Sequence, residues 1–184
     1  MRDLSSYSRT VDKNLVRRLV RGGLIAALYA AVTLVVYPFS FGAVQLRVSE
    51  ALCVLPFIFP EAVPGLFVGC VVANLLSPNI VVLDVVFGSL ATLLAALLTS
   101  KCRVKWLAPL PPVICNALIV GLLITFSMGA SEGSFLYALL FNMLTVGIGE
   151  LVSCYVLGMP LLVLIERLKK RGGVPEAEAT HEND

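Results

Sequence analysis

Charged side chains are scarce in this chain of 184 residues, since only 14% are Asp, Glu, Lys or Arg. An average soluble domain carries about 25% charged residues. Instead, 58% of the residues are hydrophobic, and the mean hydropathy is +0.92. This composition excludes an ordinary water-soluble fold and indicates a membrane protein.

Histidines, paired cysteines and nucleotide-binding loops are also missing from the apolar part of the sequence. The single histidine, His181, lies in the polar C-terminal segment, so no histidine is available for a Ser-His dyad or a metal site within the membrane. The five cysteines stand singly and indicate neither a C-x-x-C site nor a disulfide framework. No G-x-x-x-x-G-K-[ST] motif for ATP occurs. We therefore expect no enzyme, no cofactor and no metal site.

What the sequence does contain is a series of apolar segments. Six of them follow one another, at 22–41, 51–59, 62–76, 81–100, 110–127 and 135–165. A helix needs about 20 apolar residues to cross a bilayer, and no alternating pattern of membrane strands occurs. We predict an all-α, polytopic membrane protein, a bundle of six transmembrane helices. Because the second segment has only nine residues, it could instead form a shallow hairpin with the third.

Positive charges predict the orientation, because Lys and Arg next to membrane segments stay in the cytoplasm. Six crossings place 13 of the 14 basic residues on one side, with Arg47 as the exception. We therefore expect both termini in the cytoplasm. The predicted organisation is a basic segment at 1–21, a membrane domain at 22–168 and a polar tail at 169–184. The basic segment is either an amphipathic interfacial helix or a plain charged anchor.

Strongly polar side chains are rare near the apolar segments, and at membrane depth they are candidates for function. The candidates for a substrate site are Gln45, Arg47, Glu50, Asn74, Asp84, Asn142 and the deeper Glu150. The alternatives are an Arg47–Glu50 ion pair and asparagines, including the mid-depth Asn116, that only bind helices to one another. Phe87, Tyr137 and Phe141 could stack on a ligand or belong to the interfacial aromatic belt.

Small residues four positions apart indicate close contacts between helices. In the first segment they form the stripe Gly23, Ala27 and Ala31 and the adjoining stripe Ala26 and Ala30, and in the third they are Gly65 and Gly69. Such stripes serve either packing within the chain or docking of a partner helix.

Part of the sequence resembles the QueT family. The resemblance is carried by Gln45-Leu-Arg-Val-Ser-Glu50-Ala-Leu-Cys-Val-Leu-Pro56, by Pro64-Gly65-Leu-Phe, by Ala73-Asn74-Leu and by Asp84-Val-Val-Phe87-Gly88-Ser89-Leu-Ala-Thr92. It extends from the first apolar segment into the sixth. Members of this family are substrate-binding S components of energy-coupling factor transporters, associated with uptake of deazaguanine precursors of queuosine.

The resemblance implies six helices, an outward-facing pocket roofed by outer loops, and a bacterial cell membrane as the location. It also implies a T component and two ABC ATPases as partners, with Ala26-x-x-x-Ala30 and Ala27-x-x-x-Ala31 docking on the T component. A guanine-like ligand would suit the polar residues, because a carboxylate of Glu50, Asp84 or Glu150 can accept its ring N–H and amino donors. Its carbonyl oxygen would take a donor from Asn142, Asn74, Gln45 or Arg47, and a second acid could pair with an aminomethyl cation.

Three other functions stay open. The chain could be an S component for another vitamin or nucleobase-like micronutrient. It could be a self-sufficient ion-coupled carrier with Glu150 or Asp84 as the proton site. It could also be a membrane assembly protein without a small ligand, in which the polar residues only hold helices together.

Overall fold

Helices make up the part of the chain that the structure describes. The computed structural model describes residues 4–36, 47–77, 82–128 and 134–172, and every regular element in these ranges is helical. The α-helices are α1 (Leu4–Val35), α2 (Ala62–Leu75), α3 (Ser89–Ser100), α4 (Leu110–Met128), α5 (Phe135–Leu151) and α6 (Met159–Lys170). The predicted all-α fold is confirmed for these residues.

Four further elements have other helical hydrogen-bond patterns. A 3₁₀ helix of ten residues, Val48–Phe57, is named the central helix below, and a short 3₁₀ turn, Lys105–Leu107, precedes α4. The first π turn, Asp84–Gly88, leads into α3, and the second π turn, Val152–Gly158, joins α5 to α6. One helical run of 36 residues thus extends over Phe135–Lys170. Single π turns inside helices are frequent at functional sites.

The central helix lies in the middle of the bundle. It packs against α1, α2, α3, α6 and the second π turn, and its residues 49–56 are buried. At about 2.0 Å per residue its ten residues extend about 20 Å, which matches the roughly 21 Å of the 14 residues of α2. The α-helical rise of about 1.5 Å per residue had predicted only half the membrane core for this segment. The 3₁₀ geometry lengthens the segment to about two thirds of a membrane core of about 30 Å, so it stays shorter than a full crossing.

Contacts at both ends of the central helix show that it extends along the length of α2. Before its first residue, Arg47 donates to Asn74 near the end of α2, over 3.1 Å. Just after its last residue, Glu61 pairs with Arg21 of α1, with 2.5 Å between Nη1 and Oε1. The chain therefore passes from one end of α2 to the other, as two antiparallel crossings require. The number of bilayer crossings itself stays a prediction.

The lengths of the helices agree with a membrane location. Within the described ranges, three helices are long and apolar enough to cross a membrane, namely Lys13–Val35, Lys105–Ser127 and Phe135–Lys170. Three shorter apolar helices are Val48–Phe57, Ala62–Leu75 and Asp84–Ser100. Large apolar side chains such as Leu24, Leu118 and Leu144 are exposed on the outside of the bundle, as on a surface that faces lipid.

Glycines allow α1 and α2 to approach closely. A Cβ added at Gly65 would lie 2.5 Å from the Gly22 carbonyl oxygen, and one added at Gly69 would lie 2.7 Å from the Ala26 carbonyl oxygen. Only hydrogen atoms fit at these two positions. Packing within the chain, which was one alternative for Gly65-x-x-x-Gly69, is therefore confirmed.

The predicted boundary at residue 21 lies inside a continuous helix. α1 runs over Leu4–Val35 without a break, so the basic segment and the first membrane segment form one rod. At the other end, α6 finishes at Lys170 and most of the predicted polar tail lies outside the described residues. The division into 1–21, 22–168 and 169–184 stays a prediction.

Candidate functional site

Two glutamates are buried in the apolar interior. Glu50 on the central helix is 0% exposed, and Glu150 on α5 is 1% exposed. A carboxylate in an apolar medium costs several kcal/mol unless polar groups surround it. The side chains around these two residues form what is called the polar cluster below.

Glu50 is held by three elements of the bundle. Tyr29 of α1 donates its hydroxyl to Oε1 over 2.5 Å, and Cys53 of the central helix donates its thiol to Oε2 over 2.8 Å. The hydroxyl of Thr92 in α3 lies 3.3 Å from Oε1. Because donors come from separate helices, their packing places the carboxylate in one position.

Arg47 and Asn74 form the part of the polar cluster next to the first π turn. Arg47 is 4% exposed and donates from Nη2 to Asn74 Oδ1 over 3.1 Å. Asn74 Nδ2 in turn donates to the main-chain carbonyl of Asp84 over 3.0 Å. A Cβ at Gly88 would lie 3.6 Å from Asn74 Nδ2 and 3.9 Å from Arg47 Nη1, so the π turn closely covers both side chains. The guanidinium also interacts electrostatically with both buried glutamates.

Cys154 lies between the two glutamates. The thiol of Cys154 is 3.4 Å from the main-chain oxygen of Glu50 and 3.8 Å from Oε2 of Glu150. Asn116 of α4 faces the Glu150 carboxylate and is 0% exposed. Among the described residues, neither amide atom of Asn116 makes a hydrogen bond of ordinary length and angle, although its side chain interacts with the Glu150 carboxylate, and the buried hydroxyl of Ser153 has no partner.

The predicted aromatic residues lie outside the polar cluster. Phe87, Tyr137 and Phe141 are exposed, and the rings of Tyr137 and Phe141 stack on each other at 6.5 Å between centroids. Phe87 lines an apolar cavity of about 930 Å³ between α3 and α4, on the face of α3 that points away from Thr92. The ring that does contact a buried glutamate is Tyr29, which was not among the residues predicted from the sequence.

The other predicted residues have varied positions. Asn142 donates to Thr125 of α4 over 3.0 Å, which is the helix-to-helix contact considered as its alternative role. Asp84 is half-buried, and its main-chain carbonyl accepts a hydrogen bond from Asn74 of the polar cluster. Gln45 lies outside the described residues. The candidates that the structure brings together are Arg47, Glu50, Asn74 and Glu150.

Hydroxyl, thiol and amide groups of the polar cluster were largely missed from the sequence. Serines, threonines and cysteines occur throughout these segments, so residue type alone does not single out the relevant ones. A usable signal was the spacing of polar residues three or four apart, which puts both on one face of a helix. The pairs with this spacing are Tyr29 and Thr33, Cys70 and Asn74, Ser89 and Thr92, and Glu150 and Cys154.

The two alanine stripes of α1 face different directions. Ala30 is buried and Ala26 lies against Gly69 of α2, whereas Ala27 and Ala31 are exposed. The contact with α2 thus occupies the stripe Ala26-x-x-x-Ala30, because one helix face cannot pack closely on two helices at once. The stripe Ala27-x-x-x-Ala31 stays exposed, and docking of either stripe on a partner stays a prediction.

Chemically, the polar cluster can bind a small polar molecule that both donates and accepts hydrogen bonds. Two carboxylates supply acceptors, while the guanidinium and two amides supply donors. No significant match was found among curated proteins or among solved structures. A family model described as "QueT transporter" matches residues 19–167, which include the whole polar cluster. The chain belongs to the QueT transporter family.

Proposed function

We propose that the chain is the substrate-binding S component of an energy-coupling factor transporter, and that its substrate is a queuosine precursor, a deazaguanine or queuine-like base. The observation that supports this is the convergence of Arg47, Glu50, Asn74 and Glu150 in one buried cluster. Ionisable groups inside a membrane protein are costly and are typical of substrate or ion pathways.

A guanine-like base complements the groups of the polar cluster. It presents an amino group and a ring N–H as adjacent donors, next to a carbonyl oxygen as acceptor. One carboxylate can accept from both donors, and an amide or guanidinium can donate to the oxygen. When both glutamates are ionised, one guanidinium leaves an excess negative charge, which an aminomethyl cation on the ligand would offset.

Titration calorimetry of the purified protein in detergent tests the substrate. We expect saturable binding of 7-deazaguanine and at least a tenfold loss of affinity in Glu150→Gln, because an amide accepts only one of the two hydrogen bonds. Glu166→Gln is the matched control, because Glu166 does not belong to the polar cluster. Its Oε2 pairs with Lys105 Nζ at a distance of 2.5 Å. If a vitamin such as a cobalamin gives a binding heat and no queuosine precursor does, the proposed substrate is wrong, whereas the assignment as an S component still stands.

Membrane insertion and partners form the second part of the proposal. We propose a bacterial cell membrane with both termini in the cytoplasm, and a T component with two ABC ATPases that drives inward delivery of the bound base. The exposed stripe Ala27-x-x-x-Ala31 is the proposed surface for the T component.

The two buried carboxylates also support a rival function, that of a carrier driven by an ion gradient. Uptake of labelled 7-deazaguanine into vesicles that contain this chain and no ATPase would favour that rival. Uptake that is unaffected by Glu150→Gln would instead favour an assembly protein whose polar residues only connect helices.

A further inference from the structure

Unpartnered polar groups lie on one side of the polar cluster. Asn116 is fully buried, and both its amide atoms lack hydrogen-bond partners within the described ranges. The hydroxyl of Ser153 is equally buried and equally without a partner there. Buried polar groups in folded proteins are nearly always paired, so each of these two groups requires a specific explanation.

Both side chains are near Glu150, one across the α4–α5 helix pair and the other along the chain. Asn116 projects from α4 toward Glu150. Ser153 follows Glu150 by three residues, at the start of the second π turn, and therefore shares its helix face. The amide of Asn116 and the carboxylate of Glu150 thus face each other inside the bundle, and the buried hydroxyl of Ser153 lies about one turn further along the same helical run as Glu150.

The other asparagine on the facing helices shows what a structural role looks like. Asn142 of α5 is only half-buried, and its amide donates to Thr125 of α4 over 3.0 Å. Asn116 lies deeper, on the same pair of helices, yet makes no such bond to a described residue. Packing of α4 on α5 therefore accounts for Asn142, whereas Asn116 faces a buried carboxylate of α5 without forming an ordinary hydrogen bond to it.

We propose that Asn116 and Glu150 together determine specificity, by reading the hydrogen-bonding edge of a planar heterocycle that carries two adjacent N–H donors beside a carbonyl oxygen. Glu150 accepts from the two donors and Asn116 donates from Nδ2 to the oxygen. This rests on the proposed function, because it assigns the residues that recognise the ligand of that same site. Asn116, for which the sequence had indicated only a contact between helices, is in this proposal a binding residue.

A cycle of variants and ligands tests the contact between Asn116 and the carbonyl oxygen. The probes are 7-deazaguanine and 7-deaza-6-thioguanine, which keeps both N–H donors but carries sulfur, a weak acceptor, in place of that oxygen. We expect Asn116→Leu to weaken binding of 7-deazaguanine by about 10- to 100-fold and to change binding of the second probe less than threefold. Asn142→Leu is the matched control and should leave the affinity for both probes unchanged.

A measurement without ligand separates binding from a structural role. Asn116→Leu removes an amide that makes no hydrogen bond of ordinary length and angle, so it should change the melting temperature of the ligand-free protein less than Asn142→Leu does. Asn142→Leu removes an existing contact and should lower it by about 1–3 °C. If Asn116→Leu lowers the melting temperature as much as Asn142→Leu does, Asn116 is a structural contact and the inference is wrong.

The outcomes distinguish the inference from the proposed function. If the wild-type protein binds 7-deazaguanine and Asn116→Leu binds it with the same affinity, only the inference is wrong and the proposed function stands. If Asn116→Leu loses the same factor of affinity for both probes, the inference is also wrong, since the side chain then does not contact the carbonyl oxygen. Wild-type protein that binds neither probe overturns the proposed substrate and the inference together.

Discussion

At the scale of single residues, the position of Glu50 depends on side chains that are far away in the sequence. Tyr29 and Thr92 are 21 and 42 residues from it, and both hydroxyls lie within 3.3 Å of Oε1. A carboxylate that had only apolar neighbours at this depth would cost several kcal/mol. The donors therefore stabilise the fold and also hold the acceptor in place for a ligand.

Tyr29→Phe should destabilise the protein, because it removes a donor from a buried carboxylate. We expect the melting temperature in detergent to fall by about 3–6 °C, corresponding to about 1–2 kcal/mol. Tyr155→Phe is the control, since that hydroxyl donates to the Trp106 carbonyl over 3.2 Å in an exposed position. Equal shifts in the two variants would show that Tyr29 gives Glu50 no special stabilisation.

At the scale of elements, two features decide how the helices meet. The 3₁₀ form of Val48–Phe57 lets ten residues match the length of α2, and glycines bring α1 and α2 into backbone contact. The two π turns lie beside Asn74 and Cys154, where they bring main-chain and side-chain groups to the polar cluster. Local changes in helix type therefore help to shape the site.

Gly69→Ala should separate α1 from α2. The added methyl group would lie 2.7 Å from the Ala26 carbonyl oxygen and 2.9 Å from Tyr29 Cβ, which backbone shifts must relieve. We expect a loss of about 1–3 kcal/mol in the free energy of unfolding, measured by denaturation in mixed micelles.

Gly23→Ala provides the control for that change. An added Cβ at Gly23 meets nothing within 4 Å, and alanine is the better helix former. Its stability should stay constant or rise slightly. A stable Gly69→Ala protein would mean that α1 and α2 do not require this close approach.

At the scale of the whole molecule, α1 has two separate tasks. Its buried side packs on α2 and supplies Tyr29 to the polar cluster, while Ala27 and Ala31 are exposed on another side. A partner that docks on this exposed stripe would thus contact the same helix that holds Glu50.

Ala27→Leu should block copurification with a T component while ligand binding stays intact, because the larger side chain keeps the two helix backbones apart. Val156→Leu, at an exposed apolar position in the second π turn, is the control and should copurify normally. Normal copurification of Ala27→Leu would count against this surface.

The predicted orientation can be tested with Cys102, in the connection between α3 and α4. Burial raises the pKa of its thiol, so labelling with a membrane-impermeant maleimide should be faster at a pH of about 8.5 than at neutral pH. We expect labelling in inside-out vesicles and none in intact cells. The cysteine introduced by Ser134→Cys, at the exposed start of α5, should be labelled in intact cells and not in inside-out vesicles. Labelling of Cys102 in intact cells would contradict a cytoplasmic connection.

Much of the architecture could be predicted from the sequence, because hydropathy is a local property. The apolar segments coincide with the helical elements of the described residues, and the scarcity of charge made Glu50 and Glu150 conspicuous. The second segment is short, as predicted, but its 3₁₀ form could not be predicted, since composition does not distinguish the 3₁₀ rise from the α-helical rise.

The membership of the polar cluster was decided by tertiary structure. Arg47 and Asn142 looked equivalent in the sequence, yet one joins the buried glutamates and the other pairs with Thr125. Which face of a helix meets which neighbour depends on packing over the whole bundle, where close approach at Gly65 and Gly69 sets the position of α1. Hydrophobicity along the chain determined that these helices form and enter a membrane, and only their packing against one another determined which polar groups share the interior.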